Sequence, residues 1–115
     1  MTSGARTPEE LETLLEDAFV VRDRAAVADL FEPNGLVAAH AEHTASGAAI
    51  GPFVAELWSR DLTYLARPER VLQAGETGLI VGERAISVVR RRDAHWRYAI
   101  SLLHAEPKPN GGTQA

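Results

Sequence analysis

The chain has 115 residues, 45% of them hydrophobic and 24% charged, enough for one domain with a single core. It holds no cysteine, which excludes a disulfide scaffold, a thiolate nucleophile and Cys-ligated metal centres, and fits a reducing cytoplasm. A net charge of −4 argues against a nucleic-acid partner, and no apolar run approaches the ~20 residues of a membrane span. Residues 1–7 lack the basic and apolar regions of a secretion signal, so a cytoplasmic location is expected.

Residues 1–6 and 105–115 read as flexible tails around a single domain over 7–104. Thr7 can cap a first helix, with Pro8 at its first position and Glu10 completing a capping box. Leu11, Leu14, Leu15, Ala18 and Phe19 follow helical spacing as the apolar stripe, leaving Glu9, Glu12, Glu16 and Asp17 to face out. Asp23 can cap a short second helix with Val27, Leu30 and Phe31 inward, stopped by Pro33-Asn34-Gly35. Residues 35–40 form a strand candidate, and 41–46 a small hairpin arm. Ser46 precedes a third helix carrying Ile50, Phe53, Val54, Leu57 and Trp58, in which Pro52 must lie in the first turns.

The C-terminal half reads as strands. Residues 61–74 make a long one, with Pro68 at a bulge or edge. After a turn at 74–78, residues 79–91 and 95–104 form two more, separated by the polar break Arg92-Asp93-Ala94, and Gly82 marks a bulge in the first. Helices grouped ahead of an antiparallel sheet signal an α+β fold.

Several of these segments, taken in order, resemble a family. Thr7-Pro8-Glu9-Glu10-Leu11, Asp23 through Leu30-Phe31-Glu32-Pro33-Asn34, Ser46-Gly47-Ala48-Ala49-Ile50 and His95-Trp96-Arg97-Tyr98-Ala99-Ile100 resemble the nuclear transport factor two-like superfamily, in its SnoaL-like and ketosteroid-isomerase-like branch. The resemblance implies a cone: a curved antiparallel sheet packed on a long N-terminal helix and two further helices. It also implies an apolar pocket with a few polar groups, and a homodimer formed through the sheet. The isomerase's chemistry does not carry over. Its general-base aspartate falls at Ala39, or at His40 with a one-residue slip. Its tyrosine falls near Leu15 and its second acid near Ile86–Ser87. The Asp–Arg–Asp set of the limonene-epoxide-hydrolase branch cannot be assembled either. Residues 79–91 lack the extra hairpin of many members, which implies a sheet one strand shorter.

His40-Ala41-Glu42-His43 is the densest polar cluster: either an acid–base or zinc-ligating set, extended by His104, or a solvated hairpin arm. Trp58 either caps the pocket mouth or is simple core. Tyr64, Ser87, Tyr98 and Ser101 are candidate hydrogen-bonding groups for a ligand. The resemblance places Ala99, Ser101 and Leu103 on the concave face, with Trp96, Tyr98, Ile100 and Leu102 as an outer, dimer-forming row. If the faces are reversed, Trp96 and Tyr98 become pocket walls. Glu83 and Arg84 point a charge into the cavity or sit on an exposed edge; Arg90–Arg92 are a solvated strand end or an anion site.

The expectation is therefore a protein that binds a small apolar molecule, with His40 as the catalytic candidate for cofactor-independent proton transfer or isomerisation. Trp58, Tyr64, Ser87 and Ser101 are the candidate ligand contacts, with no metal and no cofactor. The alternative is a non-catalytic dimeric interaction or regulatory domain on the same scaffold.

Overall fold

In the computed structural model, residues 4–39, 43–60, 68–83 and 85–103 are described. The first helix, α1 (Pro8–Val21), starts as its sequence dictates. The Glu10 amide donates to Thr7 Oγ1 at 3.0 Å, and the Glu10 carboxylate accepts from the Arg6 amide at 2.8 Å. It ends at Arg22, which adopts the left-handed conformation (φ 56°) and donates its amide back to the last turn. Leu11, Leu15, Ala18 and Phe19 are buried as their spacing predicts. Glu12 is not outside as expected: it is 2% exposed. It lies four residues after Pro8 and three before Leu15, both buried, so the helix phase carries it inward.

Asp23 caps α2 (Arg24–Asp29), its carboxylate accepting from the Ala26 amide at 3.1 Å. The helix is shorter than the sequence suggests. Phe31 opens strand β1 (Phe31–Ala39) instead of closing the helix, because the Leu30 carbonyl already accepts from the Tyr98 amide and the Phe31 ring packs on Tyr98 at 5.1 Å. Strand β2 (His43–Ser46) folds back on β1 as the expected hairpin arm. A 3-10 turn at Gly47–Ala49 leads into α3 (Ile50–Ser59), with Pro52 in its first turn, and Ser46 makes no side-chain cap.

Four strands follow: β3 (Pro68–Ala74), β4 (Thr77–Gly82), β5 (Ala85–Arg92) and β6 (His95–Leu103). Of the expected strand over 61–74, residues 61–67 lie outside the described set. Pro68 begins an edge strand with a register shift beside it, which spares the ladder its missing N–H. The run 79–91 is not one strand. The chain reverses after Gly82, so that Val81 faces Ile86, and the sheet has six strands among the described residues.

Their order is β2-β1-β6-β5-β4-β3, antiparallel throughout except for the parallel β1–β6 pair. The sheet is curved and unclosed, and α1 reaches both β3 and β6 across its inner face. The β5–β6 hairpin turns on Asp93-Ala94, both at positive φ (54° and 67°), the backbone that a two-residue hairpin demands.

The outer-row expectation for β6 fails at one residue. Val88 pairs with Ile100 but Val89 pairs with Tyr98, so Ala99 is an extra residue in the ladder. A bulge of this kind reverses the alternation of faces. Trp96 (2% exposed) and Tyr98 (0%) therefore lie inside with Ser101 and Leu103, while Ile100 and Leu102 alone of that row lie outside.

Candidate functional site

The inner face of β5 and β6 brings together two of the residues singled out in the sequence. Ser87 and Ser101 are direct cross-strand partners, and their hydroxyls hydrogen-bond at 2.9 Å. Both are buried, at 2% and 0% exposure. Val37 of β1 and Ile80 of β4 flank the pair in register. Each hydroxyl has one O–H and two acceptor sites, so the bond within the pair uses one O–H and leaves the other O–H and spare lone pairs for a further partner.

One step along β6, beyond the bulge, stands the pair that the sequence reading missed. Tyr98 Oη donates to Glu12 Oε2 at 2.6 Å, joining the last strand to the first helix. A carboxyl group in this setting costs several kcal/mol in desolvation unless hydrogen bonds compensate it. The short tyrosine bond is one such compensation. The available signal was the phase of α1: Glu12 stands on the same helical face as Pro8 and Leu15. Tyr98 was named as a candidate hydrogen-bonding group but placed on the wrong face, since nothing in the alternation of β6 announces the bulge.

Trp58 is buried on α3, with the Phe19 ring edge-on at 5.5 Å. Its indole N–H is buried and finds no acceptor among the described residues. Buried donors are almost always paired, so an orphan of this kind calls for a partner such as a ligand or water.

His40 and Tyr64 lie outside the described residues, as do Arg84 and His104. The chain enters residue 40 directly from Ala39, whose cross-strand partners are Leu103 and His43. Ala39, Ala85 and Leu103 are buried at one end of the inner face. His43 is exposed on β2. Among the described residues, no three His, Asp or Glu side chains converge to hold a metal ion.

The outer face is of a different character. Leu36, Ile100 and Val88 form one cross-strand row, and Ala38, Leu102 and Ile86 the next. Ile86, Ile100 and Leu102 are 40%, 47% and 38% exposed.

No family model matches this chain, and no curated protein sequence does. Solved structures do. The chain is similar to an NTF2-like protein with a cystatin-like fold from Novosphingobium aromaticivorans, with TM-score 0.69 and 19% identity over 92% of this chain and 84% of that one. It is similar to a ketosteroid isomerase-like protein from Erwinia carotovora atroseptica, with TM-score 0.65 and 14% identity over 87% and 94%. It is also similar to a putative calcium/calmodulin-dependent protein kinase type II association domain from Thiobacillus denitrificans, with TM-score 0.74 and 13% identity over 92% and 100%. At these identities the likeness shows a shared fold: the chain has the NTF2-like α+β fold that its sequence suggested.

Proposed function

We propose that this protein is a SnoaL-like, homodimeric binder of a small, largely apolar molecule held between the helices and the inner face of the sheet. The observation that carries the reading is the indole N–H of Trp58, buried without an acceptor among the described residues. A ligand carbonyl or ether oxygen would supply that acceptor. The Ser87–Ser101 pair offers further acceptor capacity, and Tyr64 is the remaining proposed contact. Glu12 adds a titratable group to the same interior through its bond to Tyr98. If the ligand is turned over, His40 is the proposed acid or base. The reaction expected is proton transfer or isomerisation without a cofactor.

The proposed second copy sits on the outer face. Contiguous exposed isoleucines and leucines on a sheet mark a partner surface, and two sheets packed face to face would bury them. A second reading, a non-catalytic interaction domain, is favoured by the same outer face.

Titration with the aromatic ketone dye prodan separates the two readings. Ligand binding predicts a blue-shifted, saturable emission and a binding constant weakened roughly 3- to 10-fold in Trp58→Phe, the loss of one hydrogen bond. Sedimentation of the same sample should give twice the 12.5 kDa chain mass. Absence of saturable binding in a well-folded dimer would favour the interaction domain.

A further inference from the structure

A concavity lies at the end of the inner face where β6 begins, away from Ser87, Ser101 and Trp58. A cleft of about 770 Å³ opens between the arm at Gly4–Ala5, helix α2, the turn at Gly47–Ala48 and the starts of β1 and β6. Its volume is in the range of small-molecule sites. The arm is part of its wall. Ala5 is fully buried, and its carbonyl accepts from the Trp96 amide at 2.9 Å, although residues 1–6 read as a loose tail in the sequence. Gly4 lies so close to His95 that a Cβ there would stand 2.6 Å from the imidazole ring. Leu14, Leu30, Phe31, Ile50 and Trp96 make the body of the cleft apolar.

Its polar end carries an imbalance. Arg90 and Arg97 are direct cross-strand partners, which places like charges opposite one another, and Arg92 stands on the same strand as Arg90. Glu32, about nine-tenths buried, pairs with two of these cations, Arg92 Nε at 3.0 Å and Arg90 Nη1 at 3.7 Å, and its single charge offsets only one of them. Arg97 lines the cleft, is half-buried, and has no hydrogen-bond or ion-pair partner among the described residues. The other carboxylate at the cleft, Asp29, is exposed at the last residue of α2. The region thus presents an excess of positive charge on a chain whose net charge is −4. An unpaired guanidinium at the edge of an apolar cleft fits a carboxylate, which it can receive through two parallel hydrogen bonds.

We propose that this cleft is a binding site for a free monocarboxylate with an apolar body, such as a medium-chain acid. Arg97 receives the carboxylate, and the body lies along Leu30, Phe31 and Trp96. The site takes none of the residues assigned to the proposed inner-face site and does not depend on that reading.

Calorimetric titration of the full chain with octanoate, octan-1-ol and acetate tests this. Octanoate should bind at least tenfold more tightly than octan-1-ol, acetate should not bind measurably, and Arg97→Gln should reduce octanoate to the affinity of the alcohol. Ala28→Trp, which narrows the cleft, should weaken octanoate binding while leaving prodan binding unchanged. The proposal is overturned if octan-1-ol binds as well as octanoate, if Arg97→Gln changes nothing, or if octanoate does not bind. Retention of the protein on phosphatidylglycerol vesicles without binding of free octanoate would overturn it too, in favour of a membrane surface. The comparison of octanoate with octan-1-ol needs no variant, so it stands even if Arg97→Gln fails to fold. Loss of prodan binding alone would count against the inner-face reading only.

Discussion

The two halves of β6, before and after Ala99, are continuous in chain and opposite in character. Before the bulge the inward residues are Trp96 and Tyr98, and Tyr98 ties the strand to Glu12 of α1. The outward residues there are His95 and Arg97, facing Arg92 and Arg90. After the bulge the inward residues are Ser101 and Leu103, and the outward Ile100 and Leu102 form an apolar patch. One extra residue therefore decides which surface is a core, which is charged and which is free for a partner. Deleting Ala99 is the severest test of that comparison. A regular ladder would turn either Trp96 and Tyr98 or Ser101 and Leu103 to the wrong side. Either change exceeds the roughly 5–15 kcal/mol that holds such a domain together. The expected outcome is loss of the cooperative thermal transition followed by circular dichroism. A transition close to that of the unaltered chain would show that the bulge does not set the faces.

The two halves also differ in the polar pairs they bury, and this predicts unequal costs. Tyr98→Phe removes the hydroxyl bonded to a buried carboxyl group. A buried carboxyl oxygen left without its donor costs about 1–3 kcal/mol, so the melting temperature should fall by roughly 5–15 °C. Ser101→Ala removes one hydroxyl of a neutral pair and leaves Ser87 without its partner, for a cost of about 1–2 kcal/mol. The double change Ser87→Ala with Ser101→Ala should recover part of that loss, because no buried hydroxyl is then left unpaired. Calorimetric melting of the four proteins checks the order. Equal losses for Tyr98→Phe and Ser101→Ala would remove the distinction between the halves.

What the sequence disclosed and what it withheld divide along the same line between local and long-range physics. The cap at Thr7 with Glu10, the cap at Asp23 and the turn at Asp93-Ala94 all depend on residues within four of one another, and all were readable. The bulge at Ala99 arises from pairing with β5, and no residue type marks it, since alanine suits either face. The reversal after Gly82 was hidden because Val81 and Ile86 continue the same apolar alternation on both sides of it. Glu12 could have been found from helix phase, had its charge not been weighed above its position. For the candidate site, the serine pair was readable because Ser87 and Ser101 repeat at alternate positions of facing strands. The orphan N–H of Trp58 was not readable, for it depends on what three-dimensional packing fails to place beside it.

A last and smaller contrast lies where the first half of β6 meets the turn before β4. Arg91 bonds Glu76 at 2.7 and 3.0 Å and lies over the Trp96 ring at 5.7 Å. The hydrogen bond from Arg91 holds the Glu76 carboxyl below its ordinary value of 4.5, and the charge of Arg91 adds to that. A lowered carboxyl pKa contributes stability that is complete above the unfolded value and disappears as pH falls through the folded one. Glu76→Gln should therefore lower the melting temperature slightly near neutral pH. The difference should vanish as the pH is taken well below 4.5. The pair is solvent-exposed, so the effect should also fade in molar salt. Thermal melts of the two proteins at neutral and acid pH, with and without salt, measure this. A gap that grew on acidification would mean that Glu76 acts through packing and not through its charge.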